Sequence, residues 1–346
     1  MDPRSAAAGP VDDPRGSLVR LAERSGRAFD TFASTRQRTR SELDRLAGAL
    51  EDTPLASGLS IVVFGSWARE ELTPESDDDW ALLAAEPFDA DDAAIRAGVE
   101  TAATVLGTEG KAPGAQAVFG VPFDARLLIE RVGLDADTNT NLTRRLLLLL
   151  ESREVSGDAH EECWKRVLGR YLDYGVKDYR PPRFLLNDLV RYWRTICVDF
   201  EGKQAQAEVD DPKWVSRNAK LRTSRKLLFA GGLVPLLLCH LLRADEMRRF
   251  LAAWLSATPS DRLAAAFLQF DAVEEGARTF AAYDRWLGIM SDAGARAELS
   301  GLTAGTRHDS ALWQDIRTIG REFQQGLLAL LFETPLRSIS SEYAVF

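Results

Sequence analysis

The sequence predicts an α+β protein in which a small mixed-sheet domain precedes a large all-helical one. Three observations predict it. Two short apolar runs, Leu59–Phe64 and Trp80–Ala84, are bounded by turn-forming residues, as buried strands are. After Thr138 strand patterning gives way to apolar stripes at helical spacing, repeatedly preceded by Ser, Asn or Asp in capping positions. At 346 residues the chain suggests two domains, and a 45% hydrophobic content supplies ample core for both.

Taken in order, residues 1–15 read as a frayed tail. Across 17–51 the positions Leu18, Leu21, Phe29, Phe32, Leu43, Leu46 and Leu50 recur at helical spacing, which predicts one or two helices covering part of the next domain. The two apolar strands follow, then a helix over 91–106 and a further strand region over 116–128. Asp137-Thr138-Asn139 caps a helix whose core is the Leu146 to Leu150 run. The expected domains are therefore 1–55, tail and packing helices; 56–135, the sheet domain; and 136–346, all helical. No internal repeat is visible.

A net charge of −9 argues against a protein built wholly to coat nucleic acid, while leaving room for a local basic patch. Cys163, Cys197 and Cys239 are widely spaced in apolar helical stretches, so they read as small core hydrophobes in a reducing compartment. His160, His240 and His308 show no metal-ligand spacing. No secretory apolar region opens the sequence, and the runs 146–150 and 233–238 are too short to span a bilayer. A cytoplasmic location without a membrane partner is the expectation.

The chemistry concentrates between the first two strands. Gly65-Ser66 closes the first, and Asp77-Asp78-Asp79 opens the second. Carboxylates at i and i+2 on a strand share a face, so Asp77 and Asp79 are expected side by side near the Gly-Ser turn. Two such charges are costly together unless a cation lies between them. The turn offers backbone N–H groups to an anion, and the acids offer oxygens to Mg²⁺. The pattern suits a metal-bound triphosphate.

Phe64-Gly65-Ser66-Trp67-Ala68-Arg69, followed by Thr73-Pro74-Glu75-Ser76-Asp77-Asp78-Asp79, resembles the nucleotidyltransferase superfamily of the DNA polymerase beta type, in its bacterial minimal branch. Asp78 departs from the pattern, which usually places an apolar residue between the acids. The resemblance implies an NTP substrate, Mg²⁺ held by Asp77 and Asp79, and β- and γ-phosphates held by Gly65 and Ser66. It also implies a third carboxylate from a later strand. Asp124 is the candidate, with Arg126 on the same face if 121–128 is a strand; it serves equally as the N-cap of a helix over 125–131.

Two helical segments are candidates to complete the site. Arg144 and Arg145 could reach phosphates, although the Asn and Thr residues before them could be caps alone. The segment 213–226 holds six cations and no acid inside an acidic chain, which favours phosphate contact over a solvated face. Asn218, Arg222 and Arg225 share one helical stripe there, and Lys213, Arg217 and Lys220 another. The resemblance implies that this segment closes over the triphosphate, making Arg217, Lys220, Arg222 and Arg225 nucleotide contacts. Asn187, Arg191 and Arg194 form another polar stripe, either lining a cleft or facing solvent. Trp193 and Trp214 read as core residues more than as base-stacking platforms.

The expected function is Mg²⁺-dependent transfer of a nucleoside monophosphate from an NTP to a hydroxyl of a protein or RNA acceptor, as in a toxin or defence module. The alternative is a catalytically inactive module that binds nucleotide or nucleic acid; absence of the third carboxylate would favour it.

Overall fold

The computed structural model describes residues 11, 13–89, 91–110, 118–206 and 213–344. Its elements run α1 (Ser17–Ser25), α2 (Asp30–Leu50), β1 (Leu59–Phe64), β2 (Trp80–Ala84), α3 (Ala93–Val105), β3 (Pro122–Asp124), α4 (Ala125–Glu130), α5 (Asn139–Leu150), β4 (Ser152–Gly157) and α6 (His160–Leu172). There follow α7 (Arg183–Gln206), α8 (Lys213–Arg222), α9 (Ser224–Leu238), α10 (Ala244–Leu255), α11 (Pro259–Gln269), α12 (Val273–Ser291), α13 (Ala293–Gly301), α14 (Ala311–Phe332) and α15 (Arg337–Tyr343). The chain is thus mixed α and β, mostly helical, with one small mixed sheet among the described residues. It divides into two compact units. One takes Ser34–Leu72 and Ser76–Tyr174; the other takes the chain before Ser34, Thr73–Glu75 and Gly175 onward.

The first unit holds the sheet, in the order β3-β2-β1-β4. β1 pairs antiparallel with β2 and with β4, whereas β2 and β3 run parallel. Both central strands are buried along their whole length, which is why they read as unbroken apolar runs. One face carries Leu59, Ile61, Val63, Trp80, Leu82 and Ala84, and these pack with Leu46 and Leu50 of α2 and Ile95 and Ala102 of α3. The alternate residues Val62, Phe64, Ala81 and Leu83 occupy the other face.

β4 corrects the expectation that strands end before Thr138. Its sequence, Ser152-Arg-Glu-Val-Ser-Gly, is polar because an edge strand contributes little to a core; only Val155 packs against the apolar cluster. A bulge shifts the β1–β4 register between Ile61 and Val62, which further blurs the alternation. The third strand region is also shorter than expected. Only Pro122–Asp124 is strand and α4 begins at once, so Asp124 and Arg126 do not share a strand face. Part of the expected region, 116–117, lies outside the described residues, as does most of the expected tail. Val11 is nevertheless tied down: its N–H donates to Gln269 Oε1 and its carbonyl accepts from the Trp254 indole.

The second unit is all helical. Asp261, in the first turn of α11, accepts from Leu18 N and so caps α1; Asp284 on α12 accepts from Phe32 N and caps α2. The buried Arg262 donates to the carbonyls of Leu255 and Ala257 at the end of α10, where a cation complements the helix dipole. The basic segment 213–226 is not one helix as its spacing suggested. Thr223 breaks it at φ −121° and ψ −93°, leaving Arg222 in α8 and Arg225 in α9. The stretch Lys213–Leu241 is long and apolar enough to cross a membrane by length and composition. Of its apolar window, 72% is buried inside the protein.

Candidate functional site

The turn after β1 is built from its own sequence. Gly65 sits at φ +61°, where glycine alone is unstrained. The chain then makes a helical turn, with Arg69 N donating to Gly65 O at 3.0 Å and Glu71 N to Ser66 O at 2.8 Å. Trp67 anchors the turn by burying its ring in the apolar cluster. Its indole N–H reaches Asp78 Oδ1 at 3.2 Å, which ties the turn to the acidic segment. Asp78, the departure from the usual pattern, therefore has a bracing role.

Asp79 lies directly against the turn. A Cβ placed on Gly65 would stand 2.9 Å from Asp79 Oδ2, so any larger residue there would push this carboxylate aside. Asp79 O also accepts from Phe64 N at 2.8 Å, extending the β1–β2 ladder by one step. The strand itself begins at Trp80, so the three acids sit on the irregular stretch just before it. Asp79 is half-buried and in phase with Ala81 and Leu83, while Asp77 is exposed. The structure thus brings Gly65 and Asp79 together, with Ser66 and Asp77 near them in sequence.

Asp124 goes elsewhere. In the parallel β2–β3 pairing it stands opposite Ala84, at the far end of β2 and roughly 16 Å of strand from Asp79. Alternation also puts it on the face opposite Phe123. Its carboxylate accepts from Arg126 N at 2.9 Å and Leu127 N at 3.4 Å, which is the N-cap role that its sequence equally allowed. Among the described residues no group of three or more His, Cys, Asp or Glu is placed to hold a metal ion.

The two arginines of α5 part company. Arg145 is fully buried, donating to Asp137 at 2.8 and 3.1 Å and to the Tyr171 hydroxyl at 2.6 Å. The expectation that it reaches phosphates is corrected: its charge is spent inside the fold, and Asp137 is its counter-ion rather than a simple cap. Arg144 is only half-buried, its guanidinium 4.3 Å above the Phe123 ring. Phe123 in turn lies 5.9 Å from the ring of Phe64. Arg144 therefore belongs to the same sheet face as Asp79. Burial lowers its pKa from the ordinary arginine value.

Sequence reasoning missed the charges that brace the turn. Arg69 bridges Glu71 at 2.8 Å and Glu151 at 2.6 Å. Glu70, at φ +59°, holds Arg40 at 3.0 Å and Arg153 at 3.1 Å. Three consecutive charged residues, Arg69-Glu70-Glu71, shortly after the Gly-Ser turn were the available signal, but their partners come from α2, α5's end and β4, which local patterning does not connect.

The remaining candidates lie in the helical unit. Arg217, Lys220 and Arg222 are on α8 and Arg225 on α9, all half-buried. Arg222 Nε donates to Asn218 Oδ1 at 2.5 Å, so the predicted Asn218–Arg222 stripe is real across its first turn. On α7 Arg191 lies 3.6 Å from Asp188. Trp193 stacks on Phe229 with ring centres 5.1 Å apart, and Trp214 packs between Phe200 and Trp313. Both rings are occupied by protein partners. Comparison of the chain with models of known protein families and with curated proteins returned no match.

Proposed function

We propose that the chain is a Mg²⁺-dependent nucleotidyltransferase that moves a nucleoside monophosphate from an NTP to a hydroxyl of a protein or RNA. One observation carries the reading: the Asp79 carboxylate packs against the Cα of Gly65, beside the turn that would receive phosphate. Asp77 and Asp79 are the carboxylates that would hold the ion. Mg²⁺ commonly takes only one or two protein carboxylates and completes its shell with water and substrate phosphates, so this pair suits it. When bound, the ion would supply charge neutralisation at the phosphates.

The chain's own groups do the rest. The Gly65-Ser66 turn presents small residues and the leading N–H groups of a helical turn, which suits the β- and γ-phosphates. Arg144, held on Phe123, adds a cation to the same sheet face. Arg217, Lys220, Arg222 and Arg225 are assigned to the nucleotide through the sequence resemblance alone. The helical unit would select the acceptor.

A second reading, a nucleotide-binding module without transfer activity, is favoured by the position of Asp124 at the other end and on the other face of the sheet. The experiment that separates them incubates purified protein with each of the four α-labelled NTPs and cell lysate, with and without Mg²⁺. Label on a protein or an RNA that depends on Mg²⁺ supports transfer. Nucleotide retention with no labelled product would leave the binding module.

A further inference from the structure

The helical unit gathers cations where its acids are turned away. On α14, Arg317 and Arg321 are one turn apart, and Gly320 between them lets another helix approach. A Cβ on Gly320 would stand 3.2 Å from Arg222 Cβ, so the Arg222 stem lies across this glycine with Arg317 and Arg321 to either side. Lys226 on α9 reaches α14 as well, its Nζ donating to Gln324 Oε1 at 2.5 Å. The acids of α14 face a different neighbour: Asp315 and Glu322 lie 4.0 and 3.1 Å from Arg285 of α12.

Among the described residues, Arg222, Lys226, Arg317 and Arg321 have polar partners that are all neutral: Asn218, Gln324, Gln314 and Thr318. Like charges held this close repel, and the partial burial of Arg222, Lys226 and Arg317 removes water that would screen them, while Arg321 is exposed at the mouth of the cluster. Both effects register in the titration of the group. Burial, then Arg222, pushes the Lys226 ammonium down to about 8, and burial, then Arg317 and Arg321, lowers Arg222.

We infer that Arg222, Lys226, Arg317 and Arg321 form a binding site for the phosphate groups of an anionic ligand, built wholly within the helical unit. Clustered guanidinium groups present paired donors to phosphate oxygens, and neutral Asn and Gln side chains hold the cations in place without neutralising them. The phosphates come from a free polyphosphate or from a nucleic-acid backbone. The inference stands on this cluster and does not require transfer activity.

The test uses the full chain in EDTA, so that divalent-ion chemistry is absent, and measures binding of pyrophosphate and of a short single-stranded RNA by calorimetry. Arg317→Gln with Arg321→Gln, neither assigned to the Gly65 site, should weaken the bound ligand by roughly tenfold or more while thermal unfolding stays cooperative. Asp79→Ala should leave this binding intact. Loss confined to pyrophosphate identifies a free polyphosphate as the source, and loss confined to RNA identifies the backbone. Absence of binding for both, equal binding by the double variant, or loss of binding in Asp79→Ala would each overturn the inference.

Discussion

Gly65 and Asp79 constrain one another, and substitutions at either have different consequences. Gly65→Ala adds a Cβ at φ +61° and 2.9 Å from Asp79 Oδ2. The left-handed conformation alone costs about 1–2 kcal/mol, and the acid must also move, so urea unfolding should report a loss of that size together with loss of transfer. Asp79→Ala and Asp77→Ala should abolish transfer while unfolding in urea stays cooperative, because removing an acid from a run of three like charges relieves repulsion among those that remain. Transfer retained in both would remove the assignment. The neighbouring arginines make a second contrast. Arg145→Ala leaves Asp137 buried without its cation and should cost about 3–5 kcal/mol. Arg144→Ala removes the contact with Phe123, worth about 0.5–1 kcal/mol, and should also raise the NTP concentration needed for half-saturation.

At the scale of elements, β4 is joined to α6 through a titratable contact. His160, the first residue of α6, bonds Ser152 Oγ through Nε2 at 2.8 Å. Burial lowers its pKa below 6.5 against the opposing pull of Glu154 and Glu161. A lowered folded pKa means that the unfolded chain takes up the proton first, so the stability tied to neutral His160 is full above pH 6.5 and is lost as pH falls through the folded value. The stability difference between wild type and His160→Gln should therefore shrink on acidification below 6.5, as read from unfolding midpoints across pH; a constant difference would show that the imidazole does not titrate there. In the helical unit α12 and α14 approach closely at Gly326, where a Cβ would overlap Thr279 Oγ1 at 1.7 Å. Gly326→Ala should then cost about 1–3 kcal/mol through forced separation of the two helices, although alanine is the better helix former.

For the molecule as a whole, a net charge of −9 coexists with a local cationic cluster, and the two act over different ranges. Salt should therefore weaken phosphate binding at the α8–α9–α14 cluster: affinity falls as NaCl rises from about 50 to about 200 mM, more steeply for RNA than for pyrophosphate if the backbone is the ligand. Identification of the labelled acceptor addresses the same scale, since the chain from Gly175 onward belongs to the helical unit.

Local patterning determined the two central strands, the Gly-Ser turn, the acids before β2 and the long run of helices, because each is encoded in the identity and period of consecutive residues. Thr138 and Asp124 are caps for the same reason, their side chains bonding N–H groups a few positions away. Only the tertiary structure decided that β4 joins the sheet, that Arg145 is committed to Asp137 while Arg144 remains at the surface of Phe123, and that Asp124 stands away from Asp79. Those outcomes depend on which strand lies beside which and in what direction. A polar edge strand or a buried counter-ion takes its role from residues distant in the chain, and no local period records that partner.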